Sequence, residues 1–299
     1  MSSIFRLPHT GNAPDFLTIG HVTRDVRPDS SFALGGTVTF AALTAYRLGL
    51  AAAIVTCASS QWLESIPTRV PEIGLAGHTS PETTTFVNTY SEGFRTQLLQ
   101  ARADELTAAD IPASWLAAPI VLFGPLDQEF TPTLIRGFPR RSDSILAATP
   151  QGWLRRWDAD GHVWPSPWTV AAEVLPLLDT LILSHDDLLP FADGSRAEAD
   201  AILSAWSMHV PLLVATDGRH GATLFQRGQR ETFPAYPTVE VDPTGAGDVF
   251  ATAFLVHLYH HRDPRQAIDF ANCAASLSIE QEDITGIPTW EQVEVRTKR

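Results

Sequence analysis

Short apolar runs alternate with longer segments of helical spacing along most of the chain. The runs, rich in Leu, Ile, Val and Ala, lie at 16–20, 52–57, 120–123, 145–148, 180–183 and 212–215. Apolar residues at helical spacing predict helices over 37–48, 196–206, 246–261 and 264–280. Short buried strands that alternate with helices predict a parallel sheet covered by helices on both faces.

Two pairs of β-rich segments depart from this alternation. The segments 83–90 and 94–100 are separated by Ser91-Glu92-Gly93, which predicts a hairpin without a crossover helix. A second hairpin is predicted over 222–226 and 231–233. Because the sequence has no internal repeat and no convincing linker, we expect a single domain over 1–299. Its small lid would come from about 83–101, with 22–34 as a further candidate segment.

The charge and the lysine content of the chain exclude several classes of function. The net charge is −13, with 44% hydrophobic residues, which indicates a folded protein and disfavours nucleic-acid and membrane partners. Lys298 is the one lysine in the sequence. A P-loop, a protein kinase site or a Schiff-base site each needs a lysine elsewhere. Any phosphate chemistry must therefore rely on backbone amides, arginine and metal.

The remaining sequence signals predict a cytoplasmic location. Cys57 and Cys273 are too few for a disulfide scaffold. The first residues, MSSIFRLPHTGNAPD, do not form a signal peptide. No apolar run reaches the length of about 20 residues that a membrane span needs.

The clearest chemical signal lies in the segment 241–250, which reads VDPTGAGDVF. Gly245, Ala246 and Gly247 precede a helical run, where consecutive unhindered amides favour an anion. Asp248 follows in the first helical turn, where a carboxylate can accept a proton from a substrate hydroxyl. This pairing suits phosphoryl transfer to an alcohol. On composition alone, a glycine turn with an acidic helix cap is an equally good interpretation.

The string from Asp242 to Asp248 resembles the second signature of the ribokinase-like (PfkB) carbohydrate kinases, usually written DTGAGD, with Pro243 as an insertion. The resemblance implies a ribokinase-like three-layer αβα sandwich with a mostly parallel central sheet and a small β-hairpin lid. It implies that Asp248 is the catalytic base and that Gly245, Ala246 and Gly247 form the anion hole. ATP would be the donor, with Mg²⁺ to neutralise its charge.

Further positions match the family's substrate side. Asp25, after the strand in GHVTRD, would bind substrate hydroxyls, and Gly35 and Gly36 would let the backbone approach the substrate closely. The family pattern continues to an asparagine where this chain has Phe40. That departure argues against an ordinary ribose or fructose pocket.

On the nucleotide side the resemblance implies ATP contacts from residues of the turn after 212–215, of the signature and of the second C-terminal helix: Thr216, Gly218, Gly221, Thr244, Asn272 and Ala275. An ordinary β-turn explains the Asp-Gly at 217–218 equally well without the family. The family's N-x-x-E motif is altered here to Ser184-His185-Asp186-Asp187. Asp187 remains as a carboxylate that could hold magnesium through water.

One branch of the family matches more closely. The combination of GHVTRD, a short lid and the ATPQG string at 148–152 is similar to myo-inositol kinases and their relatives. Their lid arginine would correspond to Arg95, which would reach the phosphates, and Gln151 would face the polyol. The expected reaction is therefore phosphorylation of a polyol or sugar, with myo-inositol or a related cyclitol as the best candidate. The resemblance leaves open a monovalent cation and a homodimer formed through the lid.

Several alternatives stay open at this point. The acceptor could be a hexose, a pentose or a nucleoside, and a non-catalytic sugar- or nucleotide-binding module is the alternative of another class. Two other clusters favour structural roles over binding. His257, His260 and His261 stand near a helix C-terminus, which stabilises them without a metal. The tryptophans at 153, 157, 164 and 168 are expected to pack on the domain.

Overall fold

The computed structural model describes residues 4–6, 13–27, 29, 31–91 and 94–298, with the backbone alone at 4–6, 89–91 and 94–95. The strands are β1 (Ile4–Arg6), β2 (Phe16–Ile19), β3 (Thr23–Val26), β4 (Phe32–Gly35), β5 (Ala52–Ala58), β6 (Gly74–Thr79), β7 (Thr85–Ser91), β8 (Phe94–Ala101), β9 (Ile120–Phe123), β10 (Ile145–Ala148), β11 (Arg155–Trp157), β12 (Val163–Pro165), β13 (Thr180–Ser184), β14 (Leu212–Thr216), β15 (Ala222–Gln226) and β16 (Gln229–Phe233). The α-helices are α1 (Thr37–Arg47), α2 (Ser60–Arg69), α3 (Pro132–Arg136), α4 (Ala171–Val174), α5 (Arg196–Trp206), α6 (Ala246–His261), α7 (Pro264–Ser278) and α8 (Trp290–Thr297).

A ten-stranded sheet forms the centre, in the order β1-β6-β5-β2-β9-β10-β13-β14-β15-β16. The strands from β6 to β14 in this order pair in parallel, whereas β1, β15 and β16 join by antiparallel pairing. The chain runs outward from β2 through β5 to β6 and then returns to β9 on the other side of β2. In such sheets, ligands bind at the carboxyl ends of the strands where the order reverses. The topology therefore places a binding site beyond β2 and β9.

Helices cover both faces of this sheet because successive buried strand residues point to opposite sides. In β13, Ile182 packs with α1, α6 and α7, whereas its neighbours Leu181 and Leu183 pack on the opposite face with α5. The helix α6 is buried over most of its length between α1 and α7. Its N-terminus consequently lies at a fixed point beside the sheet's carboxyl edge.

A second sheet of four strands, in the order β4-β3-β7-β8, forms the lid. It contains the predicted hairpin at 83–101 and also the candidate segment 22–34. The strands β7 and β8 pair antiparallel, and β3 pairs with β7 in parallel. Association of two lids into a homodimer stays a prediction.

Most of the predicted elements are confirmed, and the fold class is the one the sequence resemblance implies. The helices over 196–206 and 246–261 have the predicted bounds, and the helix predicted over 264–280 ends at Ser278. The sequence pattern missed α2, which contains Pro67, and β6, in which Gly77 has a φ of 136°. Proline and glycine usually indicate turns in a sequence. Pro67 and Gly77 therefore argued against a helix and a strand at these positions.

The histidine cluster and two of the four tryptophans have the structural roles that were expected, whereas Trp164 is 48% exposed and its Nε1 donates to Oδ2 of Asp158 at 2.9 Å. Trp153 stacks on Trp168 with ring centroids 5.1 Å apart, and both are buried in the core. His257 is buried against Phe270 and Trp290. Burial, followed by the charges of His261 and His260, lowers the pKa of His257 to about 4.

Candidate active site

One cavity of about 520 Å³ opens between the lid and the carboxyl edge of the central sheet. The predicted site residues that line it are Asp25, Gly36, Gln151, Asp187, Thr216, Thr244, Gly245, Ala246, Gly247 and Asp248. They come from six separate stretches of the chain. The sequence prediction thus gathered residues that the fold does bring together.

The glycine-rich loop turns the chain sharply into α6. Gly245 has a φ of 76° and caps the helix, a conformation that favours glycine. The side chain of Asp242 fixes the loop from behind by accepting hydrogen bonds from the amides of Thr244 and Asp283, each at 2.9 Å. The Ala246 amide donates to the carbonyl of Pro243 at 3.2 Å. One of the three amides expected to bind an anion, that of Ala246, therefore already has a hydrogen-bond acceptor within the loop.

Asp248 lies in the first turn of α6, half-buried at the cavity wall. Burial raises the pKa of Asp248 to about 6, a hydrogen bond from Thr37 and the charge of Arg155 oppose this rise, and the charge of Asp187 adds to it. A carboxyl with a pKa near 6 is a stronger base than an ordinary aspartate and is still largely ionised at pH 7. The group suits proton abstraction from a hydroxyl.

Asp25 approaches the cavity from the lid strand β3. Thr23, two residues earlier on the same face of the strand, donates a hydrogen bond of 2.9 Å to Oδ1 of Asp25. Gly35 lies directly beneath, because a Cβ built there would be 2.3 Å from Oδ2 of Asp25 and 2.7 Å from Oγ1 of Thr23. Gly35 supports the carboxylate without lining the cavity itself. The following Gly36 has a φ of 95° and precedes α1.

The turn after β13 brings two more carboxylates to the cavity, Asp186 and Asp187. The Ser184 amide donates to Oδ2 of Asp187 at 3.2 Å, so part of that carboxylate caps its own 3-10 turn. Burial raises the pKa of Asp187, whereas Arg155 and a hydrogen bond from Gln151 counteract the rise. Carboxylate oxygens are ligands that Mg²⁺ prefers. The donor set at this edge, Asp186 and Asp187, fits a magnesium ion held directly or through water.

Arg155 is the functional residue that the sequence prediction missed. Among the described residues that line the cavity, it is the one basic side chain. Its Nη1 donates a hydrogen bond of 3.1 Å to Oε1 of Gln97 on the lid. The predicted lid arginine, Arg95, has its side chain outside the described residues. In the structure Arg155 directly follows the 3-10 turn Gln151–Leu154, which places it beside Gln151.

The predicted nucleotide contacts divide into two groups. Thr216 and Thr244 line the cavity, whereas Gly218, Gly221, Asn272 and Ala275 are not among the residues that line it. The Asn272 side chain is buried and donates to the carbonyl of Pro234 at 3.1 Å. A Cβ at Gly221 would lie 2.0 Å from the carbonyl oxygen of Phe233. Gly221 is therefore required for the close approach of the two backbones at the turn that follows Gly218–His220.

A buried ionic cluster lies at the base of the lid, outside the cavity. His21 and Asp127 approach to 3.1 Å, and Glu129 accepts hydrogen bonds from the amides of His21, Leu126 and Asp127. His21, Asp127 and Glu129 are close enough to share an ion, and the hydrogen bonds within the group run from the amides of His21 and Asp127 to the Glu129 carboxylate. The Asp127 carboxylate and other neighbours raise the pKa of His21 although burial lowers it. The cluster is therefore an ion pair that joins the lid to the core.

Comparison with known proteins agrees with this architecture. Residues 160–290 match the model of the pfkB family carbohydrate kinases. Fructokinase-2 from Zea mays is 30% identical over 159 residues, which cover 49% of this chain and 48% of that protein. The chain thus spans about half the length of this relative.

Two solved structures extend the similarity to nearly the whole fold. A pyrophosphate-dependent kinase in the ribokinase family, complexed with a pyrophosphate analog and myo-inositol, has a TM-score of 0.79 at 23% identity, covering 94% of this chain and 99% of that chain. A fructokinase double mutant from Vibrio cholerae O395, with fructose, ADP and potassium ion bound, has a TM-score of 0.71 at 18% identity, covering 95% and 98%. The resemblance to the ribokinase-like (PfkB) carbohydrate kinases is therefore confirmed, by family match over part of the chain and by fold over most of it.

The described helices were also compared with the requirements of a membrane span. None of them, within the part of the chain that the structure describes, is both long and apolar enough to cross a bilayer.

Proposed function

We propose that this protein transfers a phosphoryl group to a hydroxyl of a small polyol or sugar. One observation carries the proposal: Asp248 lies in the first turn of α6, directly after the Gly245 loop, and shares one cavity with Asp25 of the lid. A base, an anion-binding loop and a hydroxyl-binding carboxylate are the three parts that this reaction requires.

The acceptor would lie between the lid and Asp248. Asp25 accepts hydrogen bonds from two hydroxyls of the acceptor, and Asp248 accepts the proton of the hydroxyl that attacks. Phe40 stands where a hydrogen-bonding asparagine would serve a ribose or fructose, so we favour myo-inositol or a related cyclitol. The family match and the polar lining of the lid strands support a carbohydrate or polyol. A hexose, a pentose or a nucleoside is the alternative.

The charge of the phosphoryl group would be held on the side of Asp248 that faces away from the acceptor. The first-turn amides of α6 point their dipoles to this region, and Arg155 supplies a positive charge. A magnesium ion held by Asp186 and Asp187 would neutralise the donor's charge. With these groups in place the site needs no lysine, which agrees with the composition of the chain.

ATP is the donor that we propose first, on the family match. Inorganic pyrophosphate is a second candidate, because four of the six residues expected to contact ATP are not among those that line the cavity. One of the solved structures with the same fold is that of a pyrophosphate-dependent kinase. We include a monovalent cation, potassium, as a variable in the activity test.

A panel of reactions tests the proposal directly. The protein is incubated with Mg²⁺ and either ATP or pyrophosphate, and with myo-inositol, fructose, ribose or adenosine, with and without potassium. Phosphorus NMR identifies the phosphate ester that forms. The Asp248→Asn variant should lose turnover while it still binds the donor. The control is Asp160→Asn, at an exposed aspartate outside the cavity. Retention of turnover by Asp248→Asn would disprove the proposed base.

A binding module on the same fold is the alternative of another class. The altered Ser184-to-Asp187 turn favours it, since the usual asparagine is missing there. A module that only binds has no use for a base with a raised pKa beside an anion loop. Ester formation with any acceptor removes this alternative. Polyol binding without ester formation from either donor would establish it.

A further inference from the structure

Two amide side chains face each other across the lid hairpin at the cavity wall. Asn88 of β7 and Gln97 of β8 are directly paired in the register of the two strands. Nε2 of Gln97 donates a hydrogen bond of 3.1 Å to Oδ1 of Asn88. Both residues line the cavity. The pair therefore forms part of the lid surface that a bound acceptor would contact.

The other end of the Gln97 amide is bound to Arg155, a half-buried residue at the start of β11 and outside the four-stranded lid sheet. Oε1 of Gln97 accepts a hydrogen bond of 3.1 Å from Nη1 of Arg155. The Arg155 backbone is itself anchored, because Gln128 donates a side-chain hydrogen bond to its carbonyl. With its oxygen on an arginine and its nitrogen on an asparagine, the Gln97 amide has one favourable orientation.

Arg155 is also attracted in the opposite direction. Its positive charge acts on the carboxylates of both Asp187 and Asp248. Opposite charges at a partly buried site attract strongly, and a guanidinium on a flexible stem can move toward them. An arginine that moved onto Asp248 would compete with the substrate hydroxyl for the base. A neutral acceptor such as the Gln97 oxygen holds the guanidinium toward the lid without cancelling its charge.

We infer that Gln97 is a positioning residue that holds Arg155 away from Asp248 and joins it to the lid. The inference rests on the proposed function, since it gives the arginine its task at the transferring phosphoryl group. An acceptor bound under Asn88 and Gln97 orders the lid, and the ordered lid orders Arg155. Binding of the polyol thereby prepares the positive charge that the phosphoryl group needs.

Three variants test this role. Gln97→Leu removes the acceptor oxygen, and Gln97→Glu keeps its place but pairs ionically with Arg155. The control is Gln100→Leu, an exposed glutamine on the same strand that is not among the residues lining the cavity. We expect kcat to fall about tenfold or more in both Gln97 variants, as for loss of a charge-assisted hydrogen bond. The KM of the donor and the melting temperature should stay near those of Gln100→Leu.

A second readout does not depend on turnover. The titration of Asp248 is followed by carboxyl NMR in the protein without substrate, assigned with Asp248→Asn. In Gln97→Leu, Arg155 moves closer and the Asp248 pKa falls. In Gln97→Glu, the arginine is neutralised and the Asp248 pKa rises. A loss of folding would not produce these opposite shifts.

The outcomes separate this inference from the proposed function. If the wild-type protein forms no ester but the Asp248 titration moves in opposite directions, the proposed function fails and Gln97 still positions Arg155. If the wild-type protein forms an ester and neither kcat nor the titration differs between the Gln97 variants and the control, the inference is wrong and the function stands.

Discussion

The ring of Phe40 lies directly against the backbone of Gly245. A Cβ built on this glycine would be 2.2 Å from Cδ1 and 2.4 Å from Cε1 of the ring. Phe40 belongs to the first turns of α1, and Gly245 caps α6, so the contact joins the N-termini of two packed helices. The residue that replaces the family's asparagine thus supports the anion loop from below.

This contact makes Gly245 the least replaceable residue of the loop. Gly245→Ala should lower the free energy of unfolding by about 1–3 kcal/mol through overpacking on Phe40, with a further cost of about 1 kcal/mol for the positive φ. Phosphoryl transfer should be lost as well, because the loop must move. Urea unfolding and the turnover assay measure both effects. In Gly247→Ala the added Cβ meets no atom within 4 Å, so its stability should stay within about 0.5 kcal/mol of the wild type. Equal destabilisation by the two substitutions would contradict the importance of the Phe40 contact.

Turnover should depend on pH through the ionisation of Asp248. Burial raises the pKa of this carboxyl to about 6, and the base acts only when it is ionised. The value of kcat/KM should therefore fall below about pH 6 and level off above pH 7, since this ratio reports the free enzyme. Initial rates between pH 4.5 and pH 8.5, at low acceptor concentration, measure the profile. A profile that stays flat down to pH 4.5 would exclude Asp248 as the base.

The same raised pKa predicts that the base lowers the stability of the fold. Asp248 has an ordinary pKa of 3.8 when unfolded and about 6 when folded, so folding favours its protonated form. Its contribution to stability is therefore lost as the pH rises from about 4 through 6. Asp248→Asn cannot ionise, and at pH 8 it should melt a few degrees above the wild type, with a gain in the free energy of unfolding of at most about 3 kcal/mol.

At pH 3, below the unfolded pKa of 3.8, the two melting temperatures should approach each other, because the Asp248 carboxyl is then mostly protonated in both the folded and the unfolded state. Asp160→Asn, at an exposed position, serves as the control at both pH values. An Asp248→Asn variant less stable than the wild type at pH 8 would show that the carboxylate is stabilised in the fold, against the direction of its pKa.

The sequence was sufficient for those parts of the molecule whose signals are local. Each strand from β9 to β14 in the central sheet is a short apolar run, and the loop at Gly245 is a contiguous string of small residues before an aspartate. Asp248 could be proposed as the base because the carboxylate and the glycine-rich loop are neighbours in the chain. For these elements, propensity, burial and chemistry all indicate the same structure.

The parts that could not be predicted depend on distant segments. Arg155 reaches the cavity because the 3-10 turn after β10 redirects the chain beneath the lid, and nothing in the sequence distinguishes it from the other arginines. The strand β3 was missed because its side chains are mostly half-buried and do not alternate clearly. The support of Asp25 by Gly35 arises only when β3 and β4 pair, with Thr23 opposite Gly35. Contacts set by strand pairing have no signature at a fixed spacing.

The acceptor side of the site gives the last prediction. Thr23 donates a hydrogen bond of 2.9 Å to Oδ1 of Asp25, so Thr23→Val should remove one of the contacts that orient the carboxylate while it preserves the shape of the Thr23 side chain. We expect the KM of the polyol to rise about tenfold, as for loss of a hydrogen bond to a charged group. The KM of the donor should not change, because the phosphoryl groups are held elsewhere. Steady-state kinetics with each substrate varied in turn, and calorimetric binding of the polyol, measure this difference.

The matched control for this substitution is Thr44→Val. Thr44 is also a fully buried threonine, its hydroxyl donates to the carbonyl of Phe40 at 2.7 Å, and it does not line the cavity. It therefore reports what the loss of a buried hydroxyl costs in stability alone. A similar rise in the polyol KM for both variants would assign the effect to general loosening of the fold. A rise confined to the donor KM would place the acceptor away from Asp25 and require a different orientation of the two substrates in the cavity.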